Sequence, residues 1–227
     1  MSIIVAISTV TDGNMYSRHD AGDAEVIENR TRFLAANSIA MSQTTRLSVN
    51  YERDDFCTYI EIDESAKDNG MKDHSTIIAD AIITTRANHA LFLPVADCVG
   101  ASIFDPTHFI LVVAHFGRHS LEQHGATKII HHLVKNYSSD PSQLTIQLTP
   151  AAGKDVYKIW ALDNKGMKEA TFEQLYAAGV IRENIIDNHA ETTNDRGYYS
   201  YSEFLKGNRK EDGDHAIVAM MTNDQSI

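Results

Sequence analysis

A cysteine and a histidine carry the clearest chemical potential in this chain. Cys98 closes the stretch Val95-Ala96-Asp97-Cys98, and His115 sits in Ala114-His115-Phe116-Gly117-Arg118. Two apolar runs, 99–104 and 109–114, lie between them and flank Asp105-Pro106-Thr107-His108, whose Asp-Pro pair signals a turn. The segment reads as a β-hairpin. With the turn centred on Pro106-Thr107, Phe104 faces Phe109 and Cys98 faces His115, and directly opposed residues share a face with Cβ atoms roughly 4.5–5.5 Å apart. A thiol and an imidazole so placed can exchange a proton. They can also hold one metal ion, at about 2.3 Å for Zn–S and about 2.0–2.1 Å for Zn–N. The plainer reading is a buried Cys and a hydrogen-bonded core His, and a slip of one residue would send one side chain to the other face.

The elements that must position this pair follow from apolar spacing. A first strand spans 3–8, and a polar loop runs to Asp20. Asp23 caps a helix with Val26, Ile27, Phe33 and Leu34 on its apolar side and Arg30 between them, exposed or salt-bridged. Short strands are expected at 46–50 and 57–62, a mobile charged loop at 63–73 containing Asn69-Gly70, and further strands at 77–84 and 90–95. Asp80, amid apolar neighbours, either ties down a turn or serves the site. After the hairpin, Ser120-Leu121-Glu122-Gln123 has the form of a capping box and opens a helix whose face of Leu121, Ile129, Ile130, Leu133, Val134 and Tyr137 extends to 137. Its free N–H groups would lie near His115, where they can receive an anion. His124, His131 and His132 read as solvated, and His119 lies close to the site. A strand at 144–148, a second capping box at Thr171-Phe172-Glu173-Gln174, a helix stop at Gly179 and a last strand at 216–221 complete the pattern.

The chain has 227 residues, 43% apolar and 22% charged, with a formal charge of −11. These values fit an ordinary globular protein forming a single domain over 1–227, and strands alternating with helical stretches suggest a mixed α/β class. The negative charge argues against nucleic acid or an anionic membrane surface as partner, so an anionic substrate needs a local basic pocket. Two cysteines, Cys57 and Cys98, are too few for a disulfide framework and point to a reducing compartment. The opening residues lack a signal-peptide pattern, and no apolar run approaches a membrane span, which makes the cytoplasm the expected location. Phosphate-loop, dinucleotide, nucleophile-elbow, Cys-x-x-Cys and His-Glu-x-x-His motifs are all absent from the sequence.

The order of the remaining signals resembles one family. Gly22-Asp23 with Glu28-Asn29-Arg30, Ala79-Asp80-Ala81 with Thr84, Ala96-Asp97-Cys98, Ala114-His115, Thr149-Pro150-Ala151-Ala152-Gly153 and Tyr198-Tyr199-Ser200-Tyr201 are similar to motifs of the multicopper polyphenol oxidase or laccase-domain proteins (YfiH-like, DUF152), now regarded as purine nucleoside enzymes. The resemblance covers nearly the whole chain. It implies a mixed β-sheet sandwich flanked by helices and a zinc site of His, Cys and His. It also implies phosphorolysis of adenosine, inosine or methylthioadenosine, with some adenosine deamination. By position Cys98 and His115 would be the second and third zinc ligands, and Asp97 would orient the site. The stretch 50–55, equivalent to the family's Gln-x-His-Gly, holds no His. Glu52, Asp54 or His74 is left to complete the metal site, and His74 is the imidazole among them.

The leading expectation is a purine nucleoside phosphorylase with possible deaminase activity, using Cys98, His115 and Asp97. Its partners would be a nucleoside and phosphate, the latter met by Arg118 or Arg209 as charge-assisted donors, with Asp80 also on the substrate side. One alternative is a metal-free thiol hydrolase or amidase built on Cys98 and His115. Another is a non-catalytic member that binds a nucleotide or a protein. Blue-copper chemistry wants a His₂Cys site, for which this sequence offers one Cys/His pair.

Overall fold

The long apolar runs form the centre of two stacked sheets. In the computed structural model, which describes residues 2–223, the strands are β1 (Ser2–Ile7), β2 (Thr44–Arg46), β3 (Tyr59–Glu61), β4 (Ala81–Thr84), β5 (Ala90–Val95), β6 (Val99–Asp105), β7 (Ile110–Phe116), β8 (Thr145–Leu148), β9 (Ile185–Asp187) and β10 (His215–Thr222). The helices are α1 (Ala24–Ala36), α2 (Arg118–Glu122), α3 (Gly125–Tyr137), α4 (Met167–Ala177) and α5 (Tyr201–Leu205). Four strands pair in the order β1-β10-β5-β2 and six in the order β3-β4-β7-β6-β8-β9. Both sheets mix parallel and antiparallel pairs. Every residue of β6 and β7 is buried, which is why these strands read as unbroken apolar runs rather than alternating ones.

Three apolar layers hold the sandwich together. Leu91, Leu93, Ile217 and Ala219 from one sheet meet Ile82, Leu111, Val113 and Phe104 from the other. Ile129, Ile130 and Leu133 of α3 and Leu175 of α4 cover the outer face of the larger sheet, against Val99, Ala101, Val112 and Ala114. Phe33 and Leu34 of α1 cover the smaller sheet, against Phe92, Val218 and Met220. The result is a helix–sheet–sheet–helix sandwich of mixed sheets, as the resemblance implies. No helix among the described residues is long and apolar enough to cross a membrane.

Several local expectations are corrected. The helix expected over 120–137 is two helices, broken where His124 takes the left-handed conformation at φ +62°. Gln123 is not a capping residue: its Oε1 accepts from Phe56 N at 3.0 Å and its Nε2 donates to Asp54 O at 2.7 Å. Thr171 lies inside α4, donating back to Met167 O, and the cap is Gly166 with Glu169. Arg30 is neither exposed nor salt-bridged but 1% exposed, bonded to the carbonyls of Met15 and Met71. The segment 63–73 is pinned at several points, with Met71 fully buried and the carbonyls of Gly70 and Asp73 accepting from Arg46. Asp23 does cap α1, accepting from Glu25 N at 3.0 Å, and Gly179 takes φ +93° just beyond α4.

Candidate functional site

The hairpin between β6 and β7 is wider than a turn centred on Pro106-Thr107. Asp105 pairs with Ile110, leaving four residues in the loop, with Phe109 left-handed at φ +54°. The Asp105 carboxylate shapes this loop by accepting from Thr107 N at 2.8 Å and His108 N at 3.0 Å. Gly100 therefore stands opposite His115, and Val99 opposite Phe116. The expected Cys98–His115 opposition is overturned. The displacement is by two residues, however, and side chains alternate with period two, so thiol and imidazole stay on one face as diagonal neighbours.

Gly117 follows on from β7 across from Cys98, and its missing side chain is what the pair occupies. A Cβ there would lie 2.6 Å from His115 Cε1, 3.1 Å from His115 Nε2 and 3.2 Å from Cys98 Sγ. The thiol accepts from Arg118 N–H and hydrogen bonds with the Tyr51 hydroxyl. The Tyr51 ring stands edge-on to His115, with centroids 6.1 Å apart. Burial pushes the Cys98 thiol up to about 12, with the nearby Asp97 and Asp214 charges adding to it. Burial, and after it the Arg53 charge, pushes His115 down to about 4. At neutral pH the pair is a thiol beside a neutral imidazole.

Asp97 is left-handed at φ +73° and buried. Its Oδ1 accepts from Thr192 Oγ1 at 2.6 Å and its Oδ2 from Ser202 N at 2.7 Å, while its carbonyl accepts from Ala152 N at 2.8 Å. Three distant segments are thereby gathered around the turn that presents Cys98. Asp80 lies behind the pair: it binds Arg53 at 2.6 Å, and its carbonyl accepts from His115 N at 2.8 Å. Arg209 also lies outside the cleft, donating to the carbonyls of Thr192 and Asp195, both at 3.0 Å. Arg118 is at the rim, with one Nη 3.1 Å from His119 Nε2 and the other 3.8 Å from Glu122.

Cys98, His115, Asp97 and Arg118 line one cleft of about 560 Å³, within the size range of small-molecule sites. Sequence reasoning missed much of its wall, Tyr16, Arg18, Arg46, Tyr51, Tyr157 and Asp214, while Tyr201, quoted only as part of a family motif, also lines it. The signal available for some of them was an aromatic residue two positions before an arginine in a polar loop, as in Tyr16-Ser17-Arg18 and Tyr51-Glu52-Arg53. Arg18 lies 4.4 Å from the Tyr201 ring centre and is bound by Asp212 at 3.0 Å and Asp214 at 2.7 Å.

The residues present do not fit a three-ligand zinc centre. Catalytic zinc ordinarily takes three protein ligands, and among the described residues only Cys98 and His115 converge here. His74, Glu52 and Asp54 are exposed and lie outside the cleft. His119 lines the cleft but stacks on Phe56 with ring centroids 4.6 Å apart. Among the described residues no group of three His, Cys, Asp or Glu side chains is placed to hold a metal.

Two mixed sheets packed face to face beneath helices, with a Cys/His pair at one end of the central hairpin, define an α/β sandwich protein with a cleft of small-molecule size. The chain belongs to the family described as multi-copper polyphenol oxidoreductase laccase, whose family model matches residues 8–167. It is similar in fold to the Bacillus licheniformis hypothetical protein YfiH, with TM-score 0.81 and 18% identity over 97% of this chain and 93% of that one. YlmD from Geobacillus stearothermophilus gives TM-score 0.81 and 19% identity over 97% and 92%. A Neisseria meningitidis protein of the DUF152 family gives 0.70 and 14% over 97% and 95%. At these identities the likeness is one of fold. No match was found among curated proteins.

Proposed function

We propose that the cleft binds a purine nucleoside together with phosphate and cleaves the glycosidic bond by phosphorolysis, with adenosine, inosine or methylthioadenosine as substrate. A phosphate oxygen bonds to C1′ while the C1′–N9 bond breaks, and the base leaves with the bonding pair and is protonated. Stabilising an oxocarbenium-like ribose and a departing base is work for positioned charge and hydrogen bonds. The observation that carries this reading is the cleft itself, where the Cys98/His115 pair faces tyrosine rings and arginines in a space of about 560 Å³. Tyrosines offer flat apolar faces with a polar tip, suited to a base. The thiol offers a proton and the neutral imidazole an open nitrogen, so the pair presents both a donor and an acceptor. The partner is a small molecule, not nucleic acid or membrane, consistent with a charge of −11, and the setting is cytoplasmic.

A non-catalytic, nucleotide-binding member is the second reading, favoured by the shortage of metal donors around Cys98 and His115. A thiol hydrolase fits less well, because burial keeps the Cys98 proton in place. Product analysis by mass spectrometry, with and without phosphate and beside a Cys98→Ala control, separates these readings. Phosphate-dependent release of free base, reduced at least 100-fold in Cys98→Ala, is expected. No product from any of the three nucleosides, with folded protein, moves the assignment to the binding member.

A further inference from the structure

Two buried arginines sit beside the cleft with no carboxylate at ion-pair distance among the described residues; Asp73 and Asp214 act on Arg46, and Asp214 and Asp23 on Arg30, only from farther off. Arg30 is 1% exposed and Arg46 3% exposed. Arg30 donates from Nε to Met15 O and from Nη1 to Met71 O, both at 2.8 Å. Arg46 donates from Nε to Gly70 O and from Nη2 to Asp73 O, the latter at 3.1 Å. They thus grip the successive carbonyls of 70 and 71, which brings two positive charges together. Neither forms an ion pair among the described residues. Repulsion is felt at Arg30, which is pushed down to about 10 by burial and then by the Arg46 charge. Burying a charge is expensive unless an opposite charge meets it, and carbonyl dipoles meet it only in part.

Arg46 reaches the cleft wall, and Arg30 lies behind it. The Tyr16 ring centre lies 5.3 Å from the Arg46 guanidinium carbon, and Tyr16 hydrogen bonds to it. Ser48, two residues along the extended chain, lines the same cleft. The other arginines there are already engaged: Arg18 by two aspartates, Arg118 by His119 and Glu122. In a chain of net charge −11, this leaves Arg46 as the cleft arginine that no carboxylate contacts among the described residues.

We propose that the Arg46 end of the cleft is an oxyanion site that takes a phosphate group, with Arg46 as the direct donor and Arg30 raising the local potential. A guanidinium carries five N–H donors; with Nε and Nη2 of Arg46 each donating once to a carbonyl, its remaining N–H groups can make charge-assisted bonds to a phosphate oxygen. That the oxyanion is phosphate rests on the nucleoside reading of the cleft; the site itself rests on two adjacent buried arginines that no carboxylate contacts among the described residues. It places the anion at Arg46 rather than at the rim residue Arg118 or at Arg209.

Calorimetric titration with inorganic phosphate, adenosine and adenosine 5′-monophosphate, at fixed ionic strength, tests the site. Wild type is compared with Arg46→Met and with Ser48→Asp, which sets a carboxylate next to Arg46 while leaving its carbonyl bonds in place. Phosphate or the monophosphate is expected to bind, at least tenfold more weakly in Ser48→Asp and in whatever Arg46→Met folds. Binding of inorganic phosphate alone identifies the free ion as the occupant; a monophosphate binding at least tenfold tighter than adenosine identifies a phosphate ester. Absence of binding by both, or affinities unchanged in Ser48→Asp, makes Arg46 a structural tie only and overturns the site. Adenosine binding is read separately: its absence while phosphate still binds removes the nucleoside reading and leaves the oxyanion site standing.

Discussion

At Gly117 one absent methyl group lets a thiol and an imidazole meet. Its φ is −88° and its ψ 175°, a conformation that any residue adopts, so the need for glycine is one of space. Alanine at this position would place a Cβ 2.6 Å from the His115 ring and 3.2 Å from the Cys98 sulfur. Overpacking of this kind costs about 1–3 kcal/mol. Gly117→Ala is expected to fold with a melting temperature lowered by a few degrees, while the His115 ring resonances shift and the proposed nucleoside cleavage falls at least tenfold. Unchanged His115 resonances by NMR would show that the pair does not share this space. Asp97 acts at the same scale, and its worth lies in what it gathers rather than in contact with the pair: one carboxylate accepts from Thr192 and Ser202, residues 95 and 105 positions away in the chain.

Among the elements, the break between α2 and α3 decides how the loop over the cleft is held. Were 118–137 one straight helix, α2 could not stay at the cleft while α3 lies over the larger sheet. The left-handed His124 makes the bend, and Gln123 just before it holds the backbone of Asp54 and Phe56 from both ends of its amide. That loop carries Tyr51 and Phe56 toward His115 and His119. Gln123→Ala removes both bonds, and each typically contributes on the order of 1 kcal/mol. Loss of about 1–2 kcal/mol of stability is expected, together with faster hydrogen exchange at the Phe56 amide; an unchanged Phe56 exchange rate would sink the assignment. The Ser-x-x-Gln pattern was legible as a capping box because such a box uses the same donors and acceptors. Which backbone the glutamine meets depends on the loop that packs beside it.

For the molecule as a whole, burying histidines inside two stacked sheets ties stability to pH. His89, His115 and His215 are buried, and burial pushes each down to about 4 from an ordinary value of 6.5. Between these values the unfolded chain binds protons that the folded chain refuses, so stability rises with pH from about 4 to 6.5 and is lost on acidification. Asp214 has the opposite sign. Burial lifts it to about 6 from 3.8, so the folded chain holds that proton longer and its contribution falls as pH rises through the same window. Asp80, also lifted by burial, acts with Asp214, and His132, also lowered by burial, acts with the other histidines; the histidines outweigh the two aspartates. The melting temperature is expected to drop between pH 6.5 and 4.5, with a shallower slope in His89→Gln, which keeps a partner for Thr45 Oγ1 but cannot titrate. A slope unchanged in that variant would remove His89 from the balance.

The sequence by itself determined the class of fold, the existence of the central hairpin and the cap and stop of individual helices. These are written in local periodicity and in the conformational limits of residues such as Asp23 and Gly179. It also carried the family, and the presence of Cys98 and His115 on one face, because a displacement of two residues preserves the side of a strand. Only the tertiary structure decided the register, which depends on how Asp105 and the left-handed Phe109 widen the turn. Only the structure buried Arg30, whose acceptors at Met15 and Met71 lie 15 and 41 residues away, and brought Tyr51 and Arg46 to the cleft. The physical reason is common to these cases. Apolar spacing says which face is inside, whereas a polar group's partner is chosen by whichever distant backbone or side chain the folded chain sets beside it.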